Sequence, residues 1–183
     1  MKKFLFSLFL TTQIAAAAMA QDGVSSRMAL RSANPFTGGV SSFPADASSG
    51  SLIALEQNAL RLVNQERSRA GLSPLSWNDK VAAVARAHSV DMAEYNYFSH
   101  KGLDGSLVDD RARKLRMGAW QAIGENIAFL KGFEDPVSTV VEKWLRSAGH
   151  RGNMLDPRWT ETAIGLAVTP DGKYYFTQVF IRN

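Results

Sequence analysis

The side chains best suited to chemistry in this sequence are two of its three histidines. His100 follows a predicted helix within the loop-forming sequence Ser99-His100-Lys101-Gly102, and His150 follows another predicted helix after Gly149. Loops at helix ends leave imidazoles free to converge, so these two histidines are candidates for a shared site. His88 lies on the apolar stripe of a helix, and we expect it to be a core histidine.

A carboxylate, Glu125, lies in the strand-like run 122–129. Two-residue alternation places it on the same strand face as Ile123 and Ile127. If that face is buried, the carboxylate needs a donor, a cation or a trapped water. If the run is too irregular to alternate, Glu125 is simply solvated. Two imidazoles and one carboxylate could hold zinc with a position left for water, although their spacing is not that of a local zinc motif.

The segments that contain these residues resemble motifs of one family. The segments are Phe98-Ser99-His100, Gly124-Glu125-Asn126-Ile127-Ala128 and the run from Trp144 to Pro157. In this order and at this spacing they resemble the CAP superfamily (cysteine-rich secretory proteins, antigen 5 and pathogenesis-related proteins) in its bacterial SCP-like extracellular form. The resemblance covers about residues 52–180 and implies an α-β-α sandwich. It also implies a central cavity lined by His100, Glu125 and His150, which in several members holds a divalent metal.

One position of that cavity departs from the family pattern. The family's second glutamate, three residues after the tryptophan, is Ser147 here, and serine cannot supply a second negative charge. Glu142 points to a different side of the helix and is expected to be a solvated surface charge. With the three residues that do match, the resemblance still implies a divalent metal, zinc or calcium, held by His100, Glu125 and His150. The alternative is a hydrogen-bonded cluster of the same three residues without metal.

Four helices and three strands are predicted to position these residues. Apolar periodicity and helix-stop residues predict helices from about 52 to 70 and from about 78 onward. Capping-box spacing at Ser106 and Asp109 predicts a short helix through Arg116, and Asp135-Pro136 starts a fourth helix that ends near Ser147. Strands are predicted over 122–129 and in a hairpin over 163–168 and 174–181. Helices first and strands late predict an α+β domain, an α-β-α sandwich with a central antiparallel sheet.

Other prominent residues have structural explanations. The charges of residues 110–114 are expected to form a solvated helix face with weak local ion pairs. Residues 151–157 are expected to form a compact turn whose Asn and Asp side chains bond the backbone. The aromatic residues in helix or strand patterns are expected in the core, namely Trp77, Phe129, Trp144, Phe176 and Phe180.

The first twenty residues have the pattern of a secretory signal peptide. Lys2 and Lys3 precede the apolar run Phe4 to Leu10, and the segment ends with the small residues of Ala18-Met19-Ala20. The apolar run is too short to span a membrane, so we expect cleavage and not a retained anchor. Residues 21–50 are rich in Ser, Gly, Ala and Pro, which predicts a flexible linker before one domain at 51–183.

Net charge and the lack of cysteine limit the classes of protein to which this chain can belong. Cleavage would remove two of the 21 basic residues and leave 19 against 17 acidic ones, a net charge of +2, which predicts no nucleic-acid footprint. With no cysteine, an exported domain must rely on its hydrophobic core. We expect a periplasmic or secreted domain, not an integral membrane protein after cleavage, that binds a cell-envelope, lipid-like or protein ligand, with or without a divalent metal.

Two other functions stay open at this point. Ser147 and His150 are three residues apart, close enough to act together in a metal- or Ser/His-assisted hydrolase in which Glu125 orients the imidazole. The more common behaviour of a serine at the end of a helix is to bond a backbone carbonyl. The chain could also be a structural envelope protein whose pocket is not used.

The signal-peptide interpretation predicts the start of the mature chain. Mass spectrometry of protein recovered outside the cytoplasm should show an N-terminus at or near Gln21, because the small residues up to Ala20 suit cleavage there. A mature form that retains Phe4 to Leu10 would contradict the prediction and indicate a membrane anchor.

Overall fold

The fold can be described for residues 49–183 of the computed structural model. The predicted signal peptide at 1–20 and nearly all of the predicted linker at 21–50 lie outside these residues. Among the described residues, no helix is both long and apolar enough to cross a membrane. The helices are α1 (Ser49–Arg69), α2 (Asp79–Glu94), α3 (Val108–Lys114), α4 (Pro136–Arg146) and α5 (Ala148–Met154), and the strands are β1 (Ser76–Trp77), β2 (Ala122–Lys131), β3 (Glu161–Val168) and β4 (Lys173–Arg182).

The strands form a four-stranded sheet in the order β1-β3-β4-β2. The three long strands are antiparallel, with β4 between β3 and β2. The two-residue strand β1 pairs with β3 in parallel, so the sheet is mixed and the predicted antiparallel pairing holds for its long strands. In this order β2 lies at one edge of the sheet, opposite the edge formed by β1.

Helices cover both faces of the sheet, which confirms the predicted α+β class. Along β4, Phe176 and Phe180 pack with α1, α4 and α5, whereas Val179 and Ile181 pack with α2 and α3. This alternation is the two-residue period of a strand that is buried on both faces. The domain is therefore a sandwich of helices, sheet and helices.

Local sequence explains where the helices start. Asn78 caps α2 by accepting hydrogen bonds from the N–H groups of Lys80 and Val81, and Asp135 caps α4 with Pro136 at its first position. The capping box predicted at Ser106 and Asp109 does not form, because the N-cap of α3 is Leu107, whose side chain cannot accept a hydrogen bond. Only the reciprocal bond of such a box is present, in which Asp110 accepts the N–H of Leu107 at 3.2 Å. The helix α3 also ends at Lys114, earlier than predicted.

The second helix lies unusually close to the sheet at Gly165 of β3. A Cβ atom at this position would come within 2.2 Å of the backbone nitrogen of Arg86. On the next turn of α2, the hydroxyl of Ser89 donates to the carbonyl of Gly165 at 2.9 Å. The absence of a side chain at Gly165 therefore sets the position of α2 and of the segment after it, which carries His100.

The predicted aromatic core is correct for three residues and incorrect in part for two. Trp144, Phe176 and Phe180 are at most 1% exposed. Trp77 is only partly buried, and Phe129 is 41% exposed. The Phe129 ring contacts the rings of Phe98 and Tyr175 but stays partly open, although Ile127 and Leu130 of the same strand are buried.

Candidate functional site

Glu125 is turned inward, which is one of the two outcomes that the strand pattern left open. It pairs with Val179 of β4 and is 9% exposed. Its Oε1 atom lies 2.8 Å from Nδ1 of His100, and its Oε2 atom accepts a hydrogen bond of 2.6 Å from Nη2 of Arg111. Both oxygens of this buried carboxylate therefore have protein partners.

Arg111 is a site residue that the sequence analysis assigned incorrectly to a solvated helix face. Its side chain is only 9% exposed, and its Nη1 atom donates to the carbonyls of His100 and Ser106 at 3.1 and 3.0 Å. Helical spacing could have revealed this, because Arg111 is three residues after Val108 and precedes the buried Ala112. The solvated-face prediction does hold for Arg113, which pairs with exposed aspartates of the same helix.

His100 connects the buried carboxylate with the surface. It lies after α2, where the sequence predicted it, and its side chain is 52% exposed while that of Glu125 is 4% exposed. The ring is thus held by Glu125 at Nδ1, and half of its surface is accessible to a ligand.

His150 and Ser147 form a second polar pair. His150 lies within α5, not in a loop as predicted, and its Nδ1 atom is 2.8 Å from Oγ of Ser147. Ser147 is the residue between α4 and α5, so the turn between these helices brings hydroxyl and imidazole together. The predicted compact turn over 151–157 is instead mostly the second half of α5.

The strand β2 links the two histidines. Glu125 bonds the ring of His100, and the next residue, Asn126, donates from its side chain to the carbonyl of His150 at 3.1 Å. Asn153 supports this arrangement by donating to the Asn126 side chain at 2.9 Å and to the Glu125 carbonyl at 3.2 Å. Neighbouring strand residues point to opposite faces, so β2 holds one histidine from each side of the sheet.

The two imidazoles also interact electrostatically. Burial lowers the pKa of His150, and His100 lowers that pKa further when its own ring is protonated. In the hydrolase alternative Glu125 would orient the ring of His150, but its carboxylate bonds the ring of His100. The ring of His150 is therefore oriented by the hydroxyl of Ser147 and not by a carboxylate.

The side chains in this arrangement do not fit a three-ligand metal site. Among residues 49–183, no group of three or more His, Cys, Asp and Glu side chains is placed to hold a metal ion. The two oxygens of Glu125 already bond His100 and Arg111, and the guanidinium would repel an incoming cation. The zinc or calcium site at His100, Glu125 and His150 stays a prediction from the family resemblance.

His88 is the core histidine that the sequence predicted. It is fully buried, and its Nε2 atom lies 2.9 Å from the carbonyl of Ser99, so Nε2 carries the ring proton. Its Nδ1 atom has no hydrogen-bond partner among the described residues. Burial lowers the pKa of His88, and the charge of Arg111 acts in the same direction.

The chain is similar in sequence to a known family and to known proteins. The family model described as "CAP: Cysteine-rich secretory protein family" matches residues 60–180. Two Bacillus subtilis (strain 168) proteins are similar in sequence: the uncharacterized membrane protein YlbC, 40% identical over 128 residues, and the uncharacterized protein YkwD, 37% identical over 131 residues. The matches cover 70% and 72% of this chain but only 34% and 48% of those proteins.

Solved structures share the fold. An extracellular protein containing a SCP domain from Bacillus anthracis str. Ames has a TM-score of 0.66 and 33% identity, over 80% of this chain and 45% of that one. An outer surface protein from Borrelia burgdorferi has a TM-score of 0.62 at 20% identity, over 69% of this chain and 91% of that one. The second of these likenesses concerns the fold alone.

The buried histidine predicts how stability depends on pH. Because the folded state holds the pKa of His88 below its unfolded value of 6.5, the unfolded chain binds more protons in acid, and the free energy of unfolding should fall as pH drops below about 6.5. Urea unfolding at pH 7.5 and 5.5 should show this loss, and His88→Gln should make it smaller. An equal loss in the wild type and in His88→Gln would contradict the assignment.

Proposed function

Since the chain belongs to the CAP family of cysteine-rich secretory proteins, we propose that it is an exported domain that binds a cell-envelope ligand in the cleft around His100, Glu125, Ser147 and His150. A lipid-like amphiphile is the ligand that the surface suits best, and a protein partner is the second choice. The proposal does not require a divalent metal. One observation carries it: a half-exposed imidazole held by a buried carboxylate lies close along the chain to an exposed aromatic patch.

The aromatic patch consists of Phe98 and Phe129. These residues are 52% and 41% exposed, and their ring centroids are 6.4 Å apart. Phe98 is two residues before His100, and Phe129 lies on the same face of β2 as Glu125. A contiguous apolar surface beside polar groups is typical of a binding site for a molecule with an apolar and a polar part.

Export is supported by one similar structure and by the first twenty residues. The similar structure, at 33% identity, is named an extracellular protein. Together with the predicted signal peptide, this name favours a location in the periplasm or outside the cell, where envelope lipids and proteins are accessible.

Replacing the patch should weaken binding to lipid. The full mature chain should float with vesicles of phosphatidylethanolamine and phosphatidylglycerol, and Phe98→Ser and Phe129→Ser should each weaken this about tenfold. The reason is that burying a phenyl ring against an apolar partner contributes about 1.5–3 kcal/mol, and each 1.4 kcal/mol is a tenfold change. Flotation followed by quantification of the bound fraction measures the effect.

Phe133 provides a matched control. It is 44% exposed, similar to Phe129, but lies over the ammonium group of Lys143. Phe133→Ser should leave flotation unchanged. The proposal of a lipid-like ligand fails if the wild type does not float, or if Phe133→Ser lowers flotation as much as the patch variants do.

The contact between Ser147 and His150 favours a hydrolase as the second candidate. A serine hydroxyl 2.8 Å from an imidazole has the geometry of a nucleophile beside its general base. The lowered pKa of His150 keeps the ring neutral near pH 7, as a general base requires. The carboxylate that would complete a triad is not supplied by Glu125, which bonds His100.

Substitution of Ser147 separates the two candidates. If the chain is a serine hydrolase, purified protein should turn over p-nitrophenyl esters or peptides, and Ser147→Ala should lower kcat/KM at least about 1000-fold, because the nucleophile is lost. Ser68→Ala, an exposed serine on α1, should retain full activity. Absence of turnover, or turnover that survives Ser147→Ala, excludes this mechanism.

A further inference from the structure

We propose that Arg111 takes the place of a metal ion as the counter-cation of Glu125, and that the cleft recognises a ligand group that donates a hydrogen bond to His100. The expected group is a hydroxyl or amide N–H on the polar part of the ligand. The existence of a ligand rests on the proposed function above. The arrangement of Arg111, Glu125 and His100 is tested without any ligand.

The charge of the buried Glu125 carboxylate is compensated by a neighbouring side chain. The side chains of Glu125 and Arg111 are 4% and 9% exposed, and their 2.6 Å contact is a charge-assisted hydrogen bond. A buried carboxylate needs a compensating charge, and here a guanidinium supplies it. A metal ion would therefore have to displace the Arg111 guanidinium from Glu125 before it could bind this carboxylate.

Arg111 is held in place by three hydrogen bonds. Its Nη1 atom donates to the carbonyls of Ser106 and His100, while its Nη2 atom donates to Glu125. Arg111 thus fixes the main chain of His100 directly and the ring of His100 through the carboxylate. It is a positioning residue for the imidazole that faces the ligand.

The contact with Glu125 decides which ring nitrogen of His100 donates and which accepts. A carboxylate that is paired with a guanidinium is ionised and can only accept, so the Nδ1 atom of His100 must carry a proton. In the neutral ring, Nε2 is then a lone-pair acceptor. A ligand group that meets this atom must donate, which a hydroxyl or an amide N–H does and a quaternary ammonium headgroup does not.

The tautomer of His100 tests the positioning role. Long-range 1H–15N correlation spectra of the ¹⁵N-labelled mature chain at pH 8 should show the Nδ1–H tautomer for His100. Arg111→Gln should shift the ring toward a tautomer mixture, and Arg111→Lys, which keeps the charge, should restore the wild-type pattern in part. Arg113→Gln, on the same helix but exposed, is the matched control and should have no effect.

Two results would overturn the positioning role. One is an Nε2–H tautomer of His100 in the wild type, a measurement that does not depend on any variant folding. The other is an unchanged His100 tautomer in a folded Arg111→Gln protein.

Zinc binding tests the role of Arg111 as counter-cation. In calorimetric titrations with zinc chloride, Arg111→Gln should bind zinc at least about tenfold more tightly than the wild type, because the carboxylate is freed and a positive charge is removed. Arg113→Gln should match the wild type. A wild type that binds zinc as tightly as Arg111→Gln would overturn the counter-cation assignment.

Neutral lipids that differ in their headgroup test the ligand class. Vesicles of digalactosyldiacylglycerol present hydroxyl donors, whereas vesicles of phosphatidylcholine present none. Flotation with the first and at least about tenfold less with the second is expected, and equal flotation with both would overturn the donor preference. Failure to float with any lipid, alongside the expected tautomer and zinc results, would refute the lipid proposal and leave the role of Arg111 intact.

Discussion

The candidate site depends on a buried carboxylate, that of Glu125, and on the two donors that satisfy it. Removing one partner of a buried ion pair leaves an uncompensated charge, which costs about 3–5 kcal/mol. The buried Glu125 carboxylate therefore restricts where its neighbours can lie. Helix α3 must place Arg111 within hydrogen-bond distance of it, and the segment after α2 must do the same for His100. The same contacts that satisfy the carboxylate also place an imidazole at the surface.

The edge position of β2 explains why the site lies where it does. A central strand is flanked by strands on both sides, whereas the free edge of β2 is open to side chains from other elements. Asn153 donates to the carbonyl of Glu125, and Trp144 donates to the carbonyl of Ile127 at 3.2 Å. These bonds cover part of the edge and attach α4 and α5 to it. Both histidines reach the same edge from opposite layers because adjacent residues of β2 alternate between faces.

Membership of the CAP family establishes the fold and leaves the chemistry to the individual site. Where the family pattern has a second glutamate, this chain has Ser147, which bonds His150. A cavity with two carboxylates attracts a cation. With a single carboxylate whose charge is compensated by Arg111, the accessible groups are two imidazoles and a hydroxyl, a set suited to hydrogen bonding with a neutral ligand group.

Much of the fold and the identity of most site residues could be predicted from sequence, because the signals are local. The caps at Asn78 and Asp135 act within one helical turn, and strand alternation needs only neighbouring residues to turn Glu125 inward. The motif resemblance pointed to His100 and His150 without any knowledge of their contacts. These predictions required no information about which elements pack together.

The partners of those residues were decided by the tertiary structure. Arg111 is fourteen residues from Glu125, and its charged helix resembles a solvated surface until α3 is placed against β2. Phe129 has the pattern of a core residue, yet it is 41% exposed while Ile127 and Leu130 of the same strand are buried. Which positions of a strand are covered depends on packing between distant segments. The sequence by itself determined which residues are polar, apolar or cap-forming. Only the packing of distant segments decided that the carboxylate pairs with an arginine and one histidine, because pair energies depend on distances that local pattern does not contain.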